Sequence, residues 1–450
     1  MTTGNDAIVP SGREDRRAAG GPEPSSVRTP AEVRRVALAG GVGTLIEYYD
    51  YALYGYVSTI IAPLFFPGSD PVASLLAVLA VFALSYVVRP LGGIVFGWVG
   101  DRFGRRHALM VTVVGIGVAN TAIGVLPTYA VAGVLAPVLL VVVRVAQGFF
   151  AGGEVGGAAT VIAEAAPPGK RARYGAFTPM GTNGGFAIAS AAIGIVSGVL
   201  ATQQLSTWGW RVPFLLGLPL TVICYFARRM LPDIDRRVSL GKHGFPLLSA
   251  LKNYPGSLLQ ATALGVGVQG AAYIGSTFIS IYLVSNLHYP KSPVYWVTAG
   301  VTLFAVALMP FTGRLADRIG TFKVATIGLA GYAIITYPAF LLMDIGNIGL
   351  AALGYVAIMV NMAFLQVASF TLTPRLFPDE VRYTGTALAT NISVVIAGGT
   401  APYVATWLVQ RTSDLRSPYY FVATTCLIGL IAIATMRKRL ASEFASPGLR

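Results

Sequence analysis

The feature that most limits what this chain can fold into is a succession of apolar runs about 20 residues long, separated by short polar connections. A run of that length is what an α-helix needs to cross a hydrocarbon core about 30 Å thick. Twelve such runs are read, at 36–64, 72–99, 108–126, 134–165, 174–201, 210–231, 256–285, 293–316, 322–343, 348–374, 383–409 and 419–436. The 134–165 run is longer than a bilayer requires, and its C-terminal end is expected to project into the cytoplasm. Charged residues make up only 12% of the chain, about half the share of soluble domains. The fold expected is an all-α membrane protein of twelve transmembrane helices.

The charges orient it. With the N-terminus taken as inside, 27 of the 33 lysines and arginines fall in inside loops or tails and four (Arg211, Lys291, Arg411, Arg416) fall outside. The remaining two, Arg89 and Arg144, lie within helices. This bias predicts a multi-pass protein of the cell membrane with both termini cytoplasmic. The net charge of +14 therefore sets topology, and no nucleic-acid partner is inferred from it. Cys224 and Cys426 fall within runs six and twelve, while His107, His243 and His288 fall in loops. Neither a disulfide framework nor a metal site is expected, and no cofactor is implied. Residues 1–35 lack the apolar core of a cleavable signal and read as a disordered cytoplasmic tail.

The stretch RRMLPDIDRRVSLGKHGFPLLSALKNYPG divides the runs six and six, giving halves at 36–231 and 256–436, a cytoplasmic linker at 232–255 and a tail at 437–450. GWVGDRFGRRHAL follows run two, and TGRLADRIGTFKV follows run eight. PPGKRARYG precedes run five, and FPDEVRYTG precedes run eleven. Signatures recurring in order at the same place in each half argue for duplication.

The Gly-x-x-x-Asp-Arg-x-Gly-Arg-Arg loop and RVAQGFFAGGE resemble signatures of the major facilitator superfamily. IEYYDYALYGY, RPLGGIVFGWVGDRFGRR, GFFAGGEVGGAATVIAE, WGWRVPFLLG and LFPDEVRYTGTALATNIS further resemble its metabolite:proton symporter family. Members of that family carry proline and betaines, 2-oxoglutarate, citrate or shikimate. The resemblance spans about residues 36–436 and implies two pseudo-symmetric six-helix halves. Two stretches depart from the pattern: the second signature loop reads Gly-Thr-Phe-Lys, and LPDIDRR lacks the expected Glu-(Ser/Thr)-Pro.

Offset along a helix converts to depth at about 1.5 Å per residue. Glu47, Arg89, Arg144 and Glu154 each come out about 15–16 Å from one end of their runs, near the bilayer centre. Asp50 shares the Glu47 face, because residues three apart are helical neighbours. An ionisable group at that depth costs about 2.5–3.5 kcal/mol on insertion scales and is usually functional. Glu47, Asp50 and Glu154 are therefore expected in proton coupling. Arg89, Tyr48, Tyr51, Arg144, Gln147, Tyr273 and Asn391 are expected to contact substrate, with guanidinium matching carboxylate bidentately. The competing reading is a set of structural ion pairs. By resemblance, Asp101, Arg102, Arg105, Glu164 and Arg171 form a cytoplasmic latch between the halves, with Asp317 and Arg318 as its mate.

No phosphate loop follows either Gly-Lys pair, which removes an ATP-driven transporter. A nucleophile or metal constellation is likewise missing from the sequence, so no enzyme is expected. The function expected is a proton-coupled symporter that imports a small carboxylate-bearing metabolite, an organic anion or a zwitterion. Its other partners are protons and membrane lipid, and it is taken as a monomer. The alternative is a proton-coupled efflux antiporter of the same fold.

Overall fold

The computed structural model describes residues 30–103, 105–153, 166–167, 169–229, 246–378 and 381–445. Each of the twelve predicted runs contains a helical stretch among the described residues, and no β-strand occurs among them. Span 1 is the helix Pro30–Phe65. Span 2 is Pro71–Phe96, span 3 Met110–Val125, span 4 Leu135–Gly152, span 5 Arg171–Val199 and span 6 Thr202–Phe226. Then come span 7 (Pro255–Ser285), span 8 (Lys291–Ile319), span 9 (Thr321–Met343), span 10 (Ile348–Leu376), span 11 (Arg382–Thr412) and span 12 (Pro418–Arg437). Ten of these are long and apolar enough to cross a membrane, and span 3 is shorter. Helices are the natural form here, because hydrocarbon offers no partner for an exposed backbone N–H or C=O.

Local chemistry sets the ends and the breaks. Asp70 accepts the Val72 N–H at the start of span 2, with Pro71 in its first turn. Asn347 accepts the Gly349 and Leu350 N–H groups at the start of span 10. Span 2 breaks at Val88, just before Arg89 and Pro90, because proline has no N–H to return to the preceding turn. Single π turns interrupt span 6 at Leu205–Gly209, span 7 at Ile274–Phe278 and span 11 at Val394–Gly398. Such turns frequently occur at functional sites.

Backbone contact replaces hydrophobic drive between helices that are already in an apolar medium. Spans 2 and 4 interlock through small residues: a methyl group on Gly148 would overlap the Ser85 carbonyl, and one on Gly152 would overlap that of Arg89. Spans 1 and 5 meet the same way at Gly181 against Gly41 and Gly185 against Leu45. Among the last six spans, 7 packs on 11 and 12, and 9 packs on 10. Contacts joining the first six spans to the last six run between 5 and 8, 1 and 7, 2 and 11, and 5 and 10. Span 7 is the most enclosed of the apolar spans, with 94% of its most apolar stretch buried in protein against 39–56% for the others.

Some boundaries differ from the sequence reading. Span 1 begins its helix at Pro30, inside the segment expected to be a tail. The linker contains a helix, Pro246–Asn253, whose Ala250 packs with Ala261, Phe377, Val381 and Ala389 at the ends of spans 7, 10 and 11. The helix of span 12 continues to Ala445. His107 lies in the first turn of the helix Arg105–Val125 rather than in a loop. The projection expected of run four lies outside the described residues beyond Gly153. Both cysteines are buried, and neither is in a disulfide.

Gly148→Ala is expected to destabilise the purified protein by about 1–3 kcal/mol, the usual cost of overpacking. Gly300→Ala faces open space and serves as the control. Thermal unfolding in detergent compares them, and equal midpoints would refute the close-packing account.

Candidate functional site

Arg89 is 2% exposed and anchors the site. The helix break at Val88 delivers it to the face of span 1, where its Nη2 donates to Glu47 Oε1 at 2.8 Å. Its Nε donates to the Tyr51 hydroxyl at 3.3 Å. The guanidinium also lies 4.3 Å from the Tyr51 ring centre and 5.0 Å from that of Tyr86. Aromatic faces stabilise a desolvated cation electrostatically, so Glu47 and two rings share one buried charge.

Arg144, fully buried in span 4, is held differently. Its Nη1 donates to Gln147 Oε1 at 2.5 Å and its Nη2 to Ser85 Oγ at 3.1 Å. Tyr54 lies beneath it at 4.0 Å, and Tyr51 and Phe82 lie at 5.5 Å. The Arg-x-x-Gln-Gly motif thus has a local meaning. Residues three apart share a helix face, so Gln147 orients Arg144, and Gly148 admits span 2. Arg144 Nε and Gln147 Nε2 are buried donors with no hydrogen-bond partner among the described residues. Tyr51 therefore stands between two cations.

From these arginines an aromatic group extends toward the last six spans. Tyr51 meets Tyr86 at 5.0 Å and Tyr86 meets Tyr273 at 5.6 Å. Phe186 meets Tyr273 and Tyr48 at 6.1 Å each. The Tyr86 and Tyr273 hydroxyls are 2.8 Å apart, a hydrogen bond from span 2 to span 7. Gly398 and Gly399, at the end of the π turn of span 11, lie against the Tyr273 and Tyr86 rings. Tyr48 lies within electrostatic reach of both Glu47 and Arg89. Farther along span 1, Tyr56 donates to the Ser276 carbonyl at 2.6 Å and Tyr295 donates to the Tyr56 carbonyl at 2.8 Å.

Asp50 is buried but turns toward spans 3 and 6. It lines a small pocket with Glu47, Ile46, Val113, Ile116, Thr221 and Cys224, and it lies close to Gly217, as does Asn120. Asn391 is buried, and its Oδ1 has no partner among the described residues. Glu154 and Glu164 lie outside the described residues, as do the side chains of Asp101 and Arg105.

At the basic end of the bundle, Asp317 of span 8 reaches the start of span 5. Its Oδ1 accepts the Ala172 N–H at 2.9 Å and its Oδ2 the Arg173 N–H at 3.1 Å. Backbone N–H groups at a helix start favour an anion. Arg102 lies over Trp98 and Phe103 at 5.4 and 5.7 Å, and all three are exposed. Arg171 and Arg318 are also exposed.

The sequence reading missed Ser85, Tyr86 and Phe82, although they precede Arg89 at helical spacing and so share its face. Tyr54 and Phe186 were likewise not among the expected site residues. Asn183, in the stretch GTNGG, was not among them either.

Two buried arginines, a buried carboxylate and a group of rings thus lie inside a bundle of apolar helices, reaching from its first six spans to its last six. Residues 36–236 match the family described as "Sugar (and other) transporter", and residues 261–448 match "Major Facilitator Superfamily". The proline/betaine transporter of Salmonella typhimurium is 34% identical over 423 residues, covering 90% of this chain and 84% of the relative. The glycine betaine/proline/ectoine/pipecolic acid transporter OusA of Dickeya dadantii is 34% identical, covering 90% and 83%. Among solved structures, the proton:xylose symporter XylE bound to 6-bromo-6-deoxy-D-glucose aligns with a TM-score of 0.69 at 17% identity, covering 91% and 96%. The inward-open XylE of E. coli aligns at 0.66 and 16%, covering 90% and 96%. The chain belongs to the major facilitator superfamily, and it is a secondary transporter of the cell membrane.

Asp317→Ala is expected to loosen the basic end while leaving the protein inserted. Labelling of a single cysteine placed beside Ala172 should rise at least about twofold, and Asp317→Asn, which keeps an acceptor, should fall between. Unchanged labelling in Asp317→Ala would remove Asp317 from the closure of that end.

Proposed function

We propose that this transporter is a proton-coupled symporter that imports a small zwitterion bearing a carboxylate. In this reading the halves 36–231 and 256–436 rock about the central site, with both termini cytoplasmic and the basic end facing the cytoplasm. The single observation that carries it is the buried Arg89–Glu47 pair, set beside rings that reach from span 1 to span 7. A substrate carboxylate competes with Glu47 for the Arg89 guanidinium, and the rings of Tyr48, Tyr273 and Phe186 receive the ammonium end by cation–π attraction. A buried carboxylate that loses its cation takes up a proton, so occupancy and protonation are linked at Glu47. Asp50, one turn away beside spans 3 and 6, is the second coupling carboxylate. Arg144 and Gln147 set the electrostatics of Tyr51 from the far side and are the reserve of donors for a substrate anion. Asp317 forms part of the gate at the basic end, with Asp101, Arg102, Arg105 and Arg171 assigned to it by resemblance. Relatives named for proline, betaine and ectoine support a zwitterionic solute.

Reconstituted vesicles with labelled proline or glycine betaine test the reading. An inward proton gradient should drive accumulation, whereas gradient-driven extrusion would support the efflux antiporter. Glu47→Gln should lose gradient-driven accumulation yet keep solute exchange. Arg89→Lys keeps the charge but loses the planar fork, so it should raise the apparent KM by about 10-fold or more. An ester of the same solute, which loses the carboxylate and keeps only the ammonium charge, should bind weakly to wild type and be little changed by Arg89→Lys. Wild-type affinity in Arg89→Ala would leave Arg89 as a structural ion-pair partner.

A further inference from the structure

One buried acceptor beside the aromatic group is left over by the mechanism above. Asn183 of span 5 is fully buried, and both hydrogens of its amide are spoken for. Its Nδ2 donates to the Pro179 carbonyl at 2.8 Å and, across the bundle, to Gln366 Oε1 of span 10 at 2.5 Å. Its Oδ1 is buried and has no hydrogen-bond partner among the described residues. A buried carbonyl oxygen left unpaired costs about 1–3 kcal/mol, so an oxygen kept in this state calls for a donor. Its place says which donor. Asn183 lies three residues before Phe186, on the same helix face, and Phe186 packs on Tyr48 and Tyr273. The two amide donations hold the side chain from both sides, so its Oδ1 is fixed in direction.

We propose that Asn183 Oδ1 accepts an N–H of the substrate's ammonium group, making Asn183 the residue that sets the preference between N–H-bearing and fully N-alkylated zwitterions. This rests on the zwitterion reading above and deepens it. The rings attract any ammonium cation, methylated or not, because cation–π attraction needs no donated hydrogen. The Asn183 oxygen adds a bond that only an N–H can make. A polar group built to pair with a substrate hydrogen discriminates against analogues that lack it. The Gln366 amide positions Asn183 and does not itself choose among substrates.

The test is competition against labelled proline uptake by proline, N-methylproline and N,N-dimethylproline, of which only the last has no N–H. In wild type the inhibition constant should rise about 10-fold on loss of the last N–H. Asn183→Leu and the smaller Asn183→Ala should bring that ratio close to one. Gln366→Leu, which removes the bond across the bundle and leaves the acceptor held by the Pro179 carbonyl, should lower the ratio less than either Asn183 variant. A ratio unchanged in both Asn183 variants would overturn the inference, as would a ratio that collapses equally in Gln366→Leu. Wild-type vesicles that take up neither labelled proline nor labelled glycine betaine would overturn the zwitterion reading itself, and this inference with it.

Discussion

The structure is organised around the need to bury two guanidinium groups. Arg89 and Arg144 sit at membrane depth with almost no exposure, where an unmatched charge costs several kcal/mol. Each is met by a different means: Arg89 by the Glu47 carboxylate, Arg144 by a glutamine, a serine and the face of Tyr54. These partners come from spans 1, 2 and 4, so those helices must approach one another closely. Gly92, Gly148 and Gly152 make that approach possible, and the break before Pro90 aims Arg89 at span 1. Charge, backbone packing and the helix break are therefore one arrangement.

A second asymmetry follows from which atoms join which helices. Within the first six spans, spans 2 and 4 and spans 1 and 5 also meet backbone against backbone, which leaves little room for adjustment there. Between the first six and the last six, much of the polar joining is done by side chains: Tyr86 with Tyr273, Asn183 with Gln366, and Asp317 with two N–H groups. Such bonds are each worth about 0.5–1.5 kcal/mol net, and each can be exchanged for water. Rigid groups joined by exchangeable contacts are what alternating access requires.

Much of this was legible in the residues. Hydropathy placed all twelve helices, because a lipid-facing helix must be apolar over a fixed length. The depth of Glu47 and Arg89 followed from offset, and their pairing agrees with equal depth on neighbouring spans. Pro90 announced the break in span 2. The sequence did not say that Asp50 turns to spans 3 and 6 while Glu47 takes Arg89, since a three-residue offset leaves that rotation open. Nor did it mark Phe186 or Asn183, whose importance comes from what lies across the bundle. The linker helix Pro246–Asn253 was hidden because its apolar residues are too few to read as a span.

Span 7 shows what enclosure means for assembly. It joins spans 3, 6 and 11 in carrying polar groups inside the bundle, but it alone is almost wholly wrapped by protein, and its mean hydropathy of 1.3 is the lowest among the apolar spans. Insertion into a bilayer is governed by the hydropathy of the segment as it leaves the translocation machinery. Among the ten spans long and apolar enough to cross a membrane, this helix therefore has the weakest claim on lipid at the moment of synthesis, and the strongest dependence on neighbours that have yet to be made. Biogenesis of this transporter thus turns on a segment that lodges in the membrane early and finds its final solvent, other helices, only when the last spans close around it.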